Sequence, residues 1–307
     1  MKISEVKKII SDKSLLNEYN NIHKISKGWS ADKKYFIESK TGEKYLLRVN
    51  PIEYLARKEK EFNIMEDVYK LEINMSKPID FGICNNGQSV YILLSWIEGK
   101  DLDEEITSFS DEEQYNIGIK AGKILKKLHS ISAPVDQEDW EQRMLKKFNY
   151  HLNEYKKCGI EVKNDNKAIE YVQDNLHLLK NRPQTFHHGD FHVGNLILTS
   201  KNSLGVIDFN RWDYGDPYED FYKMMFFSRD ASISFARGQI DGYFNGEIPK
   251  NFFEILALYV ADVILYSVVW AISYGEEEVN TMLRLADMIF SDFDNFNLVV
   301  PKWFKYT

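Results

Sequence analysis

The stretch His187–Asn195, HHGDFHVGN, concentrates side chains of the kinds used in catalysis and metal binding. Three interpretations are open: a metal site, a catalytic loop, or a polar turn that caps a strand. A metal site needs the histidines and the aspartate to share one face, as alternate residues of a strand do. Gly189 and Gly194 indicate a loop instead, and no carboxylate or histidine elsewhere in the sequence completes a known metal pattern.

A second polar loop follows close behind the first. Asp208 ends a short apolar strand thirteen residues after Asn195, and a β-hairpin between the two loops would bring Asp190, Asn195 and Asp208 close together. Asparagine and aspartate oxygens are hard ligands that suit Mg²⁺ carrying phosphate oxygens. The remaining carboxylate, Asp190, is left to orient an attacking hydroxyl. This division of labour is what phosphoryl transfer requires.

Together these loops resemble those of the aminoglycoside phosphotransferase/choline kinase family, small-molecule kinases with a protein-kinase-like fold. The resemblance covers nearly the whole chain and includes the order of its elements. It is carried by the motifs His188-x-Asp190-x-x-x-x-Asn195, Ile207-Asp208-Phe209, Leu128-His129 and Asp216-Pro217-x-x-Asp220. It implies an α+β, bilobal fold with a small β-rich N-terminal lobe and a larger helical C-terminal lobe.

The resemblance also implies a role for each motif residue. Asp190 is expected to be the catalytic base or the group that orients the hydroxyl, and His188 is expected to brace the loop by hydrogen bonding. Asn195 and Asp208 are expected to hold one or two Mg²⁺ ions that bridge the phosphates of ATP or GTP. Asp220 is expected to anchor the catalytic loop from below.

A cation for the nucleotide phosphates is expected at the end of the strand Tyr45–Arg48. The family often carries lysine there, whereas this sequence has Arg48. Arginine stays cationic and binds two phosphate oxygens at once, so the change is compatible with the function. A surface arginine on an edge strand is the alternative. The expected partner of Arg48 is Glu61 on the following helix, with Glu59 as the second candidate.

Two further segments are expected to contact the nucleotide. The loop Ser26–Asp32 holds a single glycine, and its backbone amides and the Ser30 hydroxyl are candidates for phosphate binding, with a simple hairpin turn as the alternative. The joint between the lobes would bind the adenine or guanine edge through the Ser95 carbonyl and the Ile97 amide. Backbone contacts leave no side-chain signature, so the sequence favours neither ATP nor GTP.

The elements that must position these residues form two predicted lobes. Hairpins around the turns at 40–42 and 85–87 flank a helix predicted over 57–69, which makes the first lobe β-rich. The sequence becomes predominantly helical after a short joint. We therefore predict an N-terminal nucleotide-binding lobe over residues 1–97 and a C-terminal catalytic and acceptor-binding lobe over residues 98–307.

Long helices dominate the second predicted lobe. Ser110–Glu113, with the sequence SDEE, is a capping box that opens one helix, and another helix is predicted over about 166–180. The most apolar segment, 252–274, is interrupted by Glu254 and Asp262. This segment is therefore predicted to be a buried helix rather than a membrane span.

Composition limits the classes of partner. The 307 residues carry a formal net charge of −8, which argues against a broad nucleic-acid surface and suits cationic partners. Two cysteines occur, and the first residues lack the apolar core of a signal peptide. These features favour a reducing, cytoplasmic setting without a membrane partner.

The sequence favours a small, cationic, hydroxyl-bearing acceptor, and an aminoglycoside in particular. Each ammonium group of such a molecule must exchange water for a paired carboxylate. Aromatic residues leave a macrolide or a choline-like acceptor open, and an amino-sugar metabolite is a further alternative. A kinase-like protein that binds nucleotide without turnover and a metal hydrolase are the competing functions. The oligomeric state is not indicated by the sequence.

Overall fold

The computed structural model describes Val6, Ile9 and residues 19–26, 32–200 and 203–305. Its contacts separate the chain into two compact units. The first unit comprises Met1–Lys100 and Ile197–Asn210, and the second comprises Asp101–Leu196 and Arg211–Thr307. Strands dominate the described part of the first unit and helices dominate that of the second, which agrees with the α+β class expected from the sequence.

The described elements are numbered in chain order. The strands are β1 (Tyr19–Ile25), β2 (Lys33–Ser39), β3 (Lys44–Pro51), β4 (Pro78–Cys84), β5 (Ser89–Ser95), β6 (Lys100–Asp101), β7 (Thr185–His187), β8 (Leu196–Leu198), β9 (Leu204–Val206) and β10 (Asp213–Gly215). The α-helices are α1 (Leu55–Tyr69), α2 (Leu102–Glu105), α3 (Asp111–Leu128), α4 (Trp140–Cys158), α5 (Asp165–Asn175), α6 (Arg229–Ala231), α7 (Ile233–Phe244), α8 (Phe252–Ala271), α9 (Glu276–Asp292) and α10 (Lys302–Lys305).

An antiparallel sheet of five strands, in the order β1-β2-β3-β5-β4, forms the core of the first unit. The turn Asn85–Gly87 between β4 and β5 has positive φ at all three residues, and asparagine and glycine tolerate this conformation best. Tyr35 of β2 and Leu47 of β3 face a buried apolar cluster. Because side chains alternate along a strand, Lys34 and Arg48, which pair in register, lie on the other face.

The hairpin of β8 and β9 belongs to the first unit by its contacts. The Val206 amide donates to the Asn74 carbonyl at 2.9 Å, and Val206 forms a parallel bridge with Met75. The sequence predicts this hairpin in the second lobe, because it indicates a single boundary between the lobes, near residue 97. The difference arises because these hydrogen bonds join residues far apart in the chain and leave no local sequence pattern.

Two glycine-bearing helices, α3 and α7, pack closely in the second unit. The capping box predicted at the start of α3 is present: the Ser110 side chain accepts from the Glu113 amide, and the Glu113 side chain accepts from the Ser110 amide. A Cβ on Gly122 would lie 2.1 Å from the Gln239 carbonyl oxygen, and one on Gly238 would lie 2.1 Å from the Tyr115 carbonyl oxygen. The two backbones therefore approach closely only because these positions are glycine.

Helix α8 is the apolar centre of the second unit. By length and composition alone, Phe252–Tyr274 is suited to cross a membrane, but 72% of its most apolar window is buried inside the structure. Its aspartate, Asp262, is buried and bonded to His151 at 2.6 Å, so the charge has a partner, as burial requires. The segment has the burial of a core helix, which is what its interrupting carboxylates indicated.

The α3–α7 contact generates a prediction about stability. Replacing Gly238 with alanine places a methyl group against the Tyr115 carbonyl, so the helices must separate, at a cost of about 1–3 kcal/mol in the free energy of unfolding. Asn116→Ala, an exposed change on α3, is the matched control and should be nearly neutral. Urea unfolding measures both; equal midpoints for Gly238→Ala and the wild type would show that the contact is not close in solution.

Candidate active site

The buried carboxylate of Asp220 holds the beginning of the central loop in place. It accepts hydrogen bonds from the backbone amides of His188 and Gly189, each at 2.9 Å, and lies 3.3 Å from Nε2 of His129. Gly189 has φ of +75°, and a Cβ there would lie 2.0 Å from the Arg211 carbonyl oxygen. The loop geometry therefore requires both this glycine and this aspartate.

The position of Asp220 depends on the helices around it. His129 follows the last residue of α3, and its Nδ1 lies in a hydrogen bond 2.9 Å from the Tyr243 hydroxyl of α7. Burial alone would raise the pKa of Asp220, but the hydrogen bond from His129 and the nearby histidines hold that pKa below its usual range. The carboxylate thus stays ionised, as its two amide donors require.

Asp190 projects from the same loop into a cationic environment. Its Oδ1 lies 2.9 Å from Nζ of Lys223, and its Oδ2 lies 3.8 Å from Nε of Arg211. Burial raises the pKa of this carboxyl group, but Lys223, His192 and Arg211 outweigh burial and hold the pKa far below its usual range. Asp190 is therefore an anion at neutral pH and is suited to orient a hydroxyl group rather than to store its proton.

The rest of the loop is organised around Asn195. Its side-chain nitrogen donates to the Asp190 carbonyl at 2.8 Å, which leaves the amide oxygen as the atom able to bind a cation. His188 is buried, and its Nδ1 accepts from the Asp190 amide at 3.3 Å, which is the bracing contact expected from the sequence. His192 accepts from the Gly194 amide, and burial lowers its pKa to about 4, so its ring is neutral.

Asp208 lies in the first unit and has an unusual backbone. Its φ is +64°, a conformation that costs a non-glycine residue energy and is concentrated at functional sites. Its Oδ2 accepts from Nζ of Lys34 at 3.0 Å. Its Oδ1 is buried, and no donor among the described residues bonds to it. A carboxylate with one such oxygen fits a hard divalent cation, which coordinates oxygen ligands.

Arg48 forms a buried ionic cluster with residues of the first unit. Its Nε donates to Asp32 at 2.6 Å and its Nη1 donates to Glu61 at 2.5 Å, so Glu61 is the observed partner, as the sequence analysis preferred. Lys58 bonds both carboxylates, at 3.2 Å from Asp32 and 2.8 Å from Glu61. Arg48 is 2% exposed, which excludes the alternative of a surface arginine.

The remaining nucleotide-contact predictions fall at the end of β5 and in the loop before β2. Ser95 exchanges hydrogen bonds with Lys77: its amide donates to the Lys77 carbonyl at 2.9 Å, and its hydroxyl accepts from the Lys77 amide at 2.8 Å. The Ile97 amide bonds to no acceptor in the described part of the chain. It is therefore available to donate a hydrogen bond to the edge of a nucleotide base. Ser30 lies outside the described residues.

Several carboxylates of the second unit that could pair with a cationic acceptor already have partners within the protein. Asp216 accepts two hydrogen bonds from Arg182, at 2.6 and 2.9 Å, and Glu219 accepts from Lys147 at 2.7 Å. Asp262 is bonded to His151 as described above. The candidates that remain on α9 are the exposed Glu276, Glu277 and Asp287 and the half-buried Glu278.

The structure thus divides the predicted site residues between the units. The second unit holds the catalytic candidates Asp190 and His188 together with Asn195, and the first unit holds Asp208, Arg48, Glu61, Ser95 and Ile97. Three lysines that the sequence motifs do not indicate contact the site carboxylates: Lys34, Lys58 and Lys223. The spacing of Lys58 and Glu61, one helical turn apart, was the only local signal for these contacts.

A family model described as the phosphotransferase enzyme family matches residues 21–251. A search of curated protein sequences found no match.

Solved structures show the same fold at low sequence identity. The GDP and kanamycin complex of APH(2″)-IIia has a TM-score of 0.72 at 12% identity, covering 94% of this chain and 98% of that one. The gentamicin complex of APH(2″)-IIa has a TM-score of 0.65 at 17% identity, with 92% and 95% covered. A ternary complex of the aminoglycoside phosphotransferase APH(4)-Ia with ADP and hygromycin B has a TM-score of 0.67 at 14% identity, with 93% and 97% covered. These similarities confirm the kinase-like α+β fold expected from the sequence.

The anchoring role of Asp220 generates a prediction about stability and pH. Asp220→Asn removes the charge that two backbone amides share, so we expect a loss of about 1.5–3 kcal/mol in the free energy of unfolding at pH 7. The matched control is Asp174→Asn at an exposed position, which should be neutral. Urea unfolding at pH 7 is the measurement.

The pH dependence follows from the same pKa shift. Because the folded-state pKa of Asp220 lies below that of the unfolded chain, its contribution is present above about pH 4 and is lost as the pH falls through the folded-state value. We therefore expect wild-type stability to fall more steeply below about pH 4 than that of Asp220→Asn. Parallel curves for the two proteins would contradict the assignment.

Proposed function

The chain belongs to the phosphotransferase enzyme family, and on this premise we propose that it transfers the γ-phosphate of ATP or GTP to a hydroxyl group of a small cationic molecule, an aminoglycoside in particular. One observation carries the proposal. Asp190 is held ionised by Lys223 on a loop that Asp220 fixes through two backbone amides. A carboxylate fixed in this way is suited to orient the acceptor hydroxyl toward the γ-phosphorus.

In the proposed reaction the acceptor oxygen attacks the γ-phosphorus, and the bond from that phosphorus to the β–γ bridging oxygen breaks. The nucleoside diphosphate leaves with the electrons of that bond. Asp190 accepts a hydrogen bond from the attacking hydroxyl, and the proton passes to solvent once the new P–O bond has formed. The depressed pKa of Asp190 suits this orienting role, because the loose transition state demands little proton abstraction.

Asn195 and Asp208 are the proposed magnesium ligands. The Asn195 amide is turned by its bond to the Asp190 carbonyl so that its oxygen is available, and Asp208 offers the buried Oδ1 that no described residue contacts. When bound, the metal neutralises phosphate charge and orients the transferred group. The two residues supply amide and carboxylate oxygens, the ligand type that Mg²⁺ prefers.

The proposed acceptor class draws on charge and on the related structures. The net charge of −8 favours a cationic molecule, and the similar proteins were solved with kanamycin, gentamicin and hygromycin B. A panel of aminoglycosides, macrolides, choline-like amines and amino-sugar metabolites, each assayed for release of nucleoside diphosphate, tests the class. If none of these compounds supports release of nucleoside diphosphate, the proposed acceptor class is wrong. If the protein binds nucleotide but releases no diphosphate, a non-catalytic nucleotide-binding protein is favoured.

Asp190 is expected to be essential for turnover but not for nucleotide binding. With an acceptor that supports turnover, Asp190→Ala should lower kcat by about a hundredfold or more, since positioning of the nucleophile contributes about 10²–10⁴-fold. The nucleotide-induced shift in Tm should persist. Asp174→Ala, at an exposed position, is the control. Equal diphosphate release by the wild type and Asp190→Ala would remove Asp190 from the mechanism.

Asp208 is expected to make nucleotide binding dependent on magnesium. In the wild type, ATP or GTP should raise Tm more with Mg²⁺ than without it, since binding to the folded state stabilises by mass action. Asp208→Ala should abolish the Mg²⁺-dependent part of that shift. Thermal unfolding with each nucleotide, with and without Mg²⁺, is the measurement. A variant whose Mg²⁺ dependence is unchanged would show that Asp208 is not a ligand.

A further inference from the structure

We propose that Lys223 and Arg211 select which hydroxyl of the acceptor is phosphorylated: one whose neighbouring carbons carry oxygen rather than an amino group. The inference rests on the proposed function, because it concerns the acceptor of that reaction, and it adds where on the acceptor an ammonium group must not lie. Three features of the second unit lead to it: the surplus of positive charge around Asp190, the different surroundings of its two carboxylate oxygens, and the position of the Arg211 guanidinium.

Two cations share the carboxylate of Asp190. Nζ of Lys223 lies 2.9 Å from its Oδ1 and Nε of Arg211 lies 3.8 Å from its Oδ2, and neither cation forms an ion pair with another carboxylate in the described part of the chain. The His192 ring, 3.9 Å from Oδ1, is neutral and adds no charge. One positive charge is therefore left over. A ligand group with lone pairs is favoured beside it, and an ammonium group is repelled.

The two carboxylate oxygens of Asp190 differ in what surrounds them. Oδ1 lies against the Lys223 ammonium, which is 12% exposed and is also 5.5 Å from the centre of the Phe227 ring. Oδ2 accepts no hydrogen bond from the residues that the structure describes, and Arg211 is the nearest cation to it. Oδ2 is therefore the oxygen available to an acceptor hydroxyl, and a hydroxyl bonded to it lies on the side of Arg211.

Arg211 is held in place beside that position. Its carbonyl oxygen packs against Gly189, where a Cβ would lie 2.0 Å from it, and its guanidinium lies over the indole of Trp270, 5.9 Å from the ring centre. A group on the carbon next to the attacked hydroxyl is kept close to this guanidinium by the covalent geometry of the acceptor. A hydroxyl there accepts from the guanidinium N–H groups, whereas an ammonium has no lone pair to offer.

The inference places the charge of a cationic acceptor away from the reacting hydroxyl. The preferred acceptor carries neighbouring oxygens, as a sugar diol does, and bears its amino groups on other carbons or other rings. A contact between the same cations and the transferred phosphoryl group would raise the turnover of every acceptor by the same factor. Discrimination between two acceptors therefore separates the proposed selection from a contact with phosphate alone.

Kanamycin A and gentamicin form the test pair because of the groups that flank their hydroxyls. One sugar of kanamycin A has secondary hydroxyls with only oxygen-bearing neighbours, and the secondary hydroxyls of its other sugar flank an amino group. The sugar hydroxyls of gentamicin all flank a methylamino group. With ATP or GTP and Mg²⁺, the wild type should phosphorylate the first sugar of kanamycin A, as located by phosphorus–proton correlation NMR. Its kcat/KM for gentamicin should be lower by about tenfold or more.

Arg211→Gln tests the selection at a side chain that is 39% exposed. The ratio of kcat/KM for kanamycin A to kcat/KM for gentamicin should fall about tenfold, since one unit charge at short range in partly solvated surroundings contributes about this factor. Arg237→Gln, which changes a 33% exposed arginine of α7 that pairs with Asp241, is the matched control and should keep the wild-type ratio. Lys223 is less suited to this test because it also holds Asp190.

The outcomes separate this inference from the proposed function. Phosphorylation of kanamycin A beside its amino group, or turnover of gentamicin at least as fast as that of kanamycin A, would overturn the inference while the proposed function stands. An unchanged ratio in Arg211→Gln, including an equal loss with both acceptors, would overturn it in the same way. If the wild type releases nucleoside diphosphate with neither compound, the aminoglycoside acceptor proposed above fails and the inference fails with it.

Discussion

A buried carboxylate is stable only when cations or N–H donors surround it, and this constraint organises the candidate active site. Asp220 receives two backbone amides and a histidine, and these contacts place the loop that carries Asp190. Asp190 in turn lies against Lys223. The helices α3 and α7 approach closely at their glycines, which brings His129 and Tyr243 into contact beside Asp220.

The ionic groups of the first unit also pair each carboxylate with cations, but they differ in how much solvent reaches them. The cluster of Arg48 and Lys58 with Asp32 and Glu61 is nearly inaccessible to solvent and balanced in charge. The pair of Lys34 and Asp208 is more exposed and includes an aspartate with positive φ. Of these carboxylates Asp208 is the most exposed, which suits the metal-ligand role proposed for it above.

Local structure was predictable from the sequence because its causes are local. The capping box at Ser110–Glu113 and the turn Asn85–Gly87 each depend on residues within a few positions of one another. The helix predicted over 166–180 shows the limit of such patterns: α5 ends at Asn175, whose side chain bonds the Tyr171 carbonyl, and a 3₁₀ turn follows. An apolar pattern of this length does not distinguish the two helix types.

The candidate site was predictable only in part. The loop motifs predicted Asp190, Asn195 and Asp208 as site residues, and the family resemblance predicted Glu61 as the partner of Arg48. Lys34 and Lys223 were missed because each meets its carboxylate through tertiary structure, and an isolated lysine in a sequence resembles any surface lysine. The grouping of 197–210 with the first unit was missed for the same reason, since it depends on hydrogen bonds to residues far away in the chain.

The most direct test of the central claim, that Asp190 aims an alcohol at a nucleotide, is phosphorus NMR of a reaction with ATP or GTP, Mg²⁺ and a candidate aminoglycoside. The expected result is a new phosphate monoester resonance that grows in step with nucleoside diphosphate and is lost in Asp190→Asn. Inorganic phosphate as the sole new product, or the same monoester at the same rate in the variant, would contradict the account.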